Sequence, residues 1–184
     1  MDDDKDALTQ KNSIIDKVNK ASDTIFNAEY EKLIVNVLTV NAPNSPILTI
    51  DSTKNTVKIT NSKIQSPIRK VNDKWEGSII LNGYVENTVI YKTVSNIISN
   101  TISGNIQFLT TRIDFEINAV ASSITKFSPK SKLDVVSAYI ENERKNLIEP
   151  NPVLPNHPVW ALTYNKLLEK ILIKVQIKII NKAK

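Results

Sequence analysis

The residues able to do chemistry in this chain are few. His157 is the only histidine, set in Pro155-Asn156-His157-Pro158. One imidazole in a chain without cysteine makes a poor zinc site, and no second base or nucleophile completes a triad with it. An ordinary loop histidine is expected. Glu141, Glu143, Arg144 and Glu149 form an acidic cluster that could in principle supply paired carboxylates. Glu141 and Glu143 fall on one side of a strand, and no nearby pattern suggests a polar cleft, so a solvated or locally paired face is expected. Three glycines give no material for a glycine-rich phosphate cradle. These features predict no catalytic, cofactor-binding or metal-binding residues, and a protein that is not an enzyme.

The lysines near the end of the chain, Lys174 and Lys178 among them, raise the question of nucleic acid. Phosphate binding usually brings arginine and interleaved aromatics, and the chain has three arginines and no aromatic after Tyr164. Protection of an edge strand, or contact with an acidic partner surface, are the more economical readings. Trp75 reads as a core anchor, and Trp160, flanked by Val159 and Ala161, as either a core residue or a docking residue at a subunit contact. One further chemistry needs only lysine, asparagine and a carboxylate. In some β-sandwich surface proteins, buried side chains of these types form isopeptide links, but the sequence offers no positional signal for one.

These residues must be positioned by strands. From Trp75 to Tyr91 the apolar residues Trp75, Ile79, Leu81, Val85, Val89 and Tyr91 are all odd-numbered, and only Asn87 breaks the row. That is the period of a half-buried strand. A two-residue turn would switch the parity, so one long strand is expected, bent at Gly83 and able to serve two sheets. At about 3.3 Å per residue it would span roughly 55 Å. The final run repeats the pattern, with Ile171, Ile173, Val175, Ile177 and Ile179 on one face and Lys174, Gln176 and Lys178 on the other.

Shorter strands are expected at Ile47–Ile50, Thr56–Gln65 and Leu133–Ile140, the last with both faces covered. A further strand runs from Asn105 to Ala121, where Ile106 and Phe108 are even-numbered but Ile113, Phe115 and Ile117 odd, predicting a bulge near Thr110-Thr111. Pro150, Pro152, Pro155 and Pro158 predict a long exposed loop. The fold class is therefore all-β, an antiparallel β-sandwich of about seven to nine strands with an N-terminal extension.

Residues 1–45 read as that acidic extension and 46–184 as the sandwich, with Pro43 and Pro46 between them. Residues 7–32 are undecided between helix and arm. Leu33, Val35 and Val37 alternate in a strand running to Val40, which is either the first strand of its own domain or an arm that adds to a neighbouring copy. Residues 1–31 carry eight acids against four lysines, and residues 166–184 six lysines against Glu169. Opposed ends of this kind can attract between copies. The opening MDDDKDALTQ is acidic where a secretory signal is basic, and no apolar run approaches 18 residues, so export by that route and a membrane span are not expected.

The order of features, Lys74-Trp75-Glu76-Gly77-Ser78-Ile79-Ile80-Leu81-Asn82-Gly83-Tyr84-Val85 into Val89-Ile90-Tyr91, then Phe108 and Ile113-Asp114-Phe115-Glu116-Ile117, then Val135-Val136-Ser137-Ala138-Tyr139-Ile140-Glu141 and a closing lysine-rich strand, resembles the SPOCS domain (DUF3794) family of clostridial spore-coat and spore-associated proteins. The resemblance covers roughly Lys54 to Ile180 and rests on strand patterning. It implies a structural role at the spore surface, in a coat layer or an appendage, for a protein made in the mother-cell cytoplasm. The implied partners are other copies of the chain and other spore-surface proteins, with no nucleic acid, membrane or cofactor. Leu33, Val35, Val37, Trp160, Lys174 and Lys178 are the expected assembly residues. A docking module for another coat protein or a cell-wall polysaccharide is the alternative.

Overall fold

The computed structural model describes residues 24–99, 101–153 and 158–180. The alternation from Trp75 to Tyr91 forms one strand, Lys74–Lys92 (β4), with Ile79, Leu81, Val85, Val89 and Tyr91 completely buried. It stays in a single sheet instead of bridging two. Thr49–Ile64 (β2) and the short Arg69–Val71 (β3) pair along one side of it, and Ile106–Ser123 (β7) along the other, all antiparallel. A two-residue turn at Asn72-Asp73, both with positive φ, joins β3 to β4, as the twist of a tight hairpin demands. Gly83 lies on the inward face of β4, where a Cβ would meet the Lys58 carbonyl oxygen at 2.5 Å. The shift in register of β2 between Ile59 and Asn61 occurs beside it.

The second sheet is centred on Tyr164–Ile180 (β9), between Thr24–Thr39 (β1) and Lys132–Pro150 (β8). Ile171, Ile173, Val175, Ile177 and Ile179 are completely buried, as the final alternating run predicts. The sheets pack face to face as an antiparallel β-sandwich. A small hairpin, Asn96–Ile98 (β5) with Thr101–Ser103 (β6), projects between β4 and β7. The seam between β1 and β7 is closed by Tyr30 Oη donating to the Val120 carbonyl at 3.2 Å and Ser123 Oγ to the Ile25 carbonyl at 3.0 Å. Among the described residues, no helix is long and apolar enough to cross a membrane.

Several sequence expectations are corrected. Residues 24–39 are an edge strand of the sandwich, so Pro43 and Pro46 stand in the crossover between the two sheets instead of between an arm and a domain. Residues 1–23 lie outside the described residues. The inward face of β1 carries Ile34 and Leu38, whereas Leu33, Val35 and Val37 point outward. β7 pairs with β4 in unbroken register, so Ile106 and Phe108 are outward-facing apolar residues and no bulge is needed at Thr110-Thr111. The two strands expected at Ile47–Ile50 and Thr56–Gln65 are one strand, β2, with Ile47 making a separate bridge to Tyr164. β8 is an edge strand, not a covered one, and Val136 and Tyr139 are exposed. Its apolar residues occupy both parities because its register shifts twice, between Val135 and Ser137 and between Ile140 and Asn142.

Candidate functional site

The buried rows of β4 and β9 are each interrupted once, by Asn87 and by Glu169, and both side chains are wholly inaccessible to water. The interruptions fall at the same level. In one sheet Asn87 pairs in register with Asn55 of β2 and Thr111 of β7. In the other, Glu169 pairs in register with Asn36 of β1 and Lys145 of β8. A polar layer six residues wide thus crosses the core. It divides the apolar interior into a larger cluster, built on Ile79, Leu81, Ile171 and Ile173, and a smaller one, built on Leu38, Val89, Tyr91 and Leu167.

The layer is bonded through its centre. Asn87 Nδ2 donates to Glu169 Oε1 at 2.7 Å, and Asn36 Nδ2 donates to Glu169 Oε2 at 3.1 Å. Lys145 Nζ donates to Asn87 Oδ1 at 3.1 Å and stands 3.7 Å from Glu169 Oε1. The Lys145 side chain is only 7% exposed, because the two bulges of β8 together restore the parity that turns it inward. Glu143, nearer the surface, holds the same ammonium at 3.3 Å. Glu143 also accepts hydrogen bonds from Thr53 and Asn55 across the β2–β8 seam. Two buried oxygens in the layer, Asn55 Oδ1 and Thr111 Oγ1, have no hydrogen-bond partner among the described residues.

Burying an ion pair costs several kcal/mol of desolvation per charge, and apolar side chains of similar volume would fill the space at less cost. A polar layer kept under those terms acts on specificity or chemistry. It fixes the register of the strands, since a slip of one residue would set Glu169 and Lys145 against an apolar row or carry them into solvent. It also brings an amine, a carboxamide and a carboxylate into contact in a dry interior.

The residues expected from the sequence to mediate assembly are elsewhere. Leu33, Val35 and Val37 are 56%, 58% and 49% exposed on the outer face of edge strand β1, beside Leu172, Lys170 and Leu168 of β9 respectively. Trp160 is exposed too, in the connection between β8 and β9, where its expected core alternative does not hold. Lys174 and Lys178 are on the outer face of β9, a central strand, and so cannot protect an edge. Lys174 instead pairs with Glu141, Glu29 and Glu31. These partners, Glu141 foremost and then Glu29, raise its pKa far above the ordinary lysine value. Two acids of the first 31 residues, Glu29 and Glu31, therefore meet a lysine of the closing strand within one molecule. Glu141, Glu143 and Glu149 bind three different lysines, Lys174, Lys145 and Lys166, and share no common site. His157 lies outside the described residues, and among those described no group of three His, Cys, Asp or Glu side chains is placed to hold a metal.

Comparison with protein-family models, with curated proteins and with solved structures finds no match.

Proposed function

We propose that the protein is a non-enzymatic structural subunit that self-assembles through its strand edges in an endospore surface layer, as coat or appendage. The observation that carries the assembly reading is the apolar row Leu33, Val35 and Val37 on the exposed face of edge strand β1. Beyond the part of β1 that meets β7 through Ile25 and Tyr30, the stretch carrying Leu33, Val35 and Val37 has no neighbouring strand on its outer side among the described residues and offers its main-chain groups there to another chain. An apolar row along it adds burial at about 25 cal/mol per Å² to any strand that pairs there. Another copy is the partner such an edge fits most simply, and a heterologous contact of this kind propagates into a filament unless it closes into a ring. The spore setting, with deposition from the mother-cell cytoplasm, rests on the strand-pattern resemblance to the SPOCS family.

Size-exclusion chromatography and negative-stain electron microscopy of the full chain test the assembly reading. Oligomers or filaments are expected, and the double substitution Leu33→Lys with Val35→Lys, both at outward-facing positions, abolishes them. Monodisperse monomers from the unaltered chain at high concentration would overturn self-assembly and favour a docking module for another coat protein.

A further inference from the structure

We propose that Lys145 and Asn87 become joined by an intramolecular isopeptide bond, with Glu169 carrying the protons, so that the two sheets are linked covalently through the core. The three groups that the reaction needs are all present and correctly related. The nucleophile is the Lys145 amine, the electrophile is the Asn87 carboxamide carbon, and the leaving group is its Nδ2. Nζ is 3.1 Å from Oδ1, one bond from the reacting carbon. One oxygen, Glu169 Oε1, lies 3.7 Å from the attacking nitrogen and 2.7 Å from the departing one. The shorter contact is a hydrogen bond; the longer is an ion-pair distance that must close as the amine leaves Glu143, which holds it at 3.3 Å, and advances on the carbon. Asn36, bonded to Oε2, is a positioning residue that aims the carboxylate.

The step balances without any co-reactant. Glu169 takes a proton from the Lys145 ammonium, which exposes the lone pair of Nζ. Nζ attacks the Asn87 carbon, the carbonyl π pair moves onto Oδ1, and a tetrahedral adduct forms. The protonated Glu169 delivers its proton to Nδ2, and as the adduct collapses the carbon–Nδ2 bond breaks and the carbonyl returns. Glu169 removes the remaining extra proton from Nζ. Lysine ammonium and asparagine amide become a secondary amide and an ammonium ion once that proton follows the leaving ammonia, and the carboxylate is regenerated. Nothing is oxidised or reduced.

Primary amides react very slowly with amines in water, so the fold must supply the rate. Fixed reactants behave as if at effective concentrations of about 10⁵–10⁸ M. Here both reactants are held on opposing sheets, 58 residues apart in sequence, by strands paired over their whole length. The reaction turns over once per chain and leaves the protein non-enzymatic in the ordinary sense.

Intact-mass spectrometry of the folded full chain, denatured just before measurement, is the test. A mass about 17 Da below that of the sequence is expected, for loss of one ammonia. Proteolysis should then yield a branched peptide joining Lys145 to Asn87. Lys145→Met and Glu169→Gln should keep their full sequence masses, and Asn87→Asp, if it links, should lose water instead of ammonia. A folded chain of unaltered mass overturns the proposal. So does an ammonia loss with no branched peptide, since a succinimide at Asn82-Gly83 would give the same mass. The branched peptide is sought in the unaltered protein, so the test stands even where a variant fails to fold.

Discussion

At the scale of single residues, Glu169 holds the core together and also endangers it. Its two oxygens accept from Asn87 and Asn36, and Lys145 faces it with only 7% exposure. Removing one member of a buried pair strands the other, which costs about 3–5 kcal/mol. Glu169→Ala is therefore expected to lower unfolding free energy by at least about 3 kcal/mol in a denaturant titration, and more where the covalent link is lost with it. The contrast is Asp114→Ala, which breaks a pair with Arg112 that is 60% and 71% exposed and should change stability by less than about 0.5 kcal/mol. Equal effects at the two positions would mean that the layer is hydrated and ordinary. One residue of this site is legible in the sequence: Asn87 stands out as the one break in the odd-numbered row of β4. Glu169 shares the parity of the buried row of β9 but lies ahead of the alternation that begins at Ile171, so in the sequence it reads only as a charge among lysines. That they meet depends on which strands are central, which no local pattern encodes. Lys145 was hidden altogether, because a double bulge sets its facing.

At the scale of elements, alternation identified the long strands but not always their faces. β4 and β9 were legible because one parity is almost purely apolar. In β1 both parities are apolar, Leu33, Val35 and Val37 on one and Ile34 and Leu38 on the other, so the period is visible while its phase is not. The phase that forms buries Ile34 and Leu38 and turns Asn36 inward to Glu169. The outer face of the same sheet is tied by Lys174, which spans β1, β9 and β8 through Glu29, Glu31 and Glu141. Its pKa is raised on folding, so its contribution to stability is complete below the unfolded value of about 10.4 and is lost only as pH rises through the higher folded value. The difference in melting temperature between the unaltered chain and Lys174→Gln should therefore stay constant from about pH 7 to pH 10 and shrink above that range. A difference that fades between about pH 7 and pH 9 would show that the three carboxylates do not hold the lysine as the geometry indicates.

At the scale of the whole molecule, the two sheets are joined by crossovers at their ends and by packing between, and a link from Lys145 to Asn87 would tie them at mid-height. A cross-link stabilises chiefly by restricting the unfolded chain, and closing a loop of 58 residues corresponds to about 4 kcal/mol on the chain-entropy scale used for disulfides. That is a large fraction of the total stability of a single domain. It is also available to a chain without cysteine, and unlike a disulfide it is indifferent to reductant. The linked chain is expected to unfold at a higher denaturant midpoint than Glu169→Gln and with a smaller dependence on denaturant, since the closed loop keeps its unfolded state from exposing as much surface. The two effects must occur together. A higher midpoint with an unchanged slope would assign the difference to hydrogen bonds of the polar layer alone. A subunit locked in this way would pass tension from one sheet to the other through a covalent bond, so a filament of such subunits would extend under load by separating at its strand-edge contacts before its sandwiches opened.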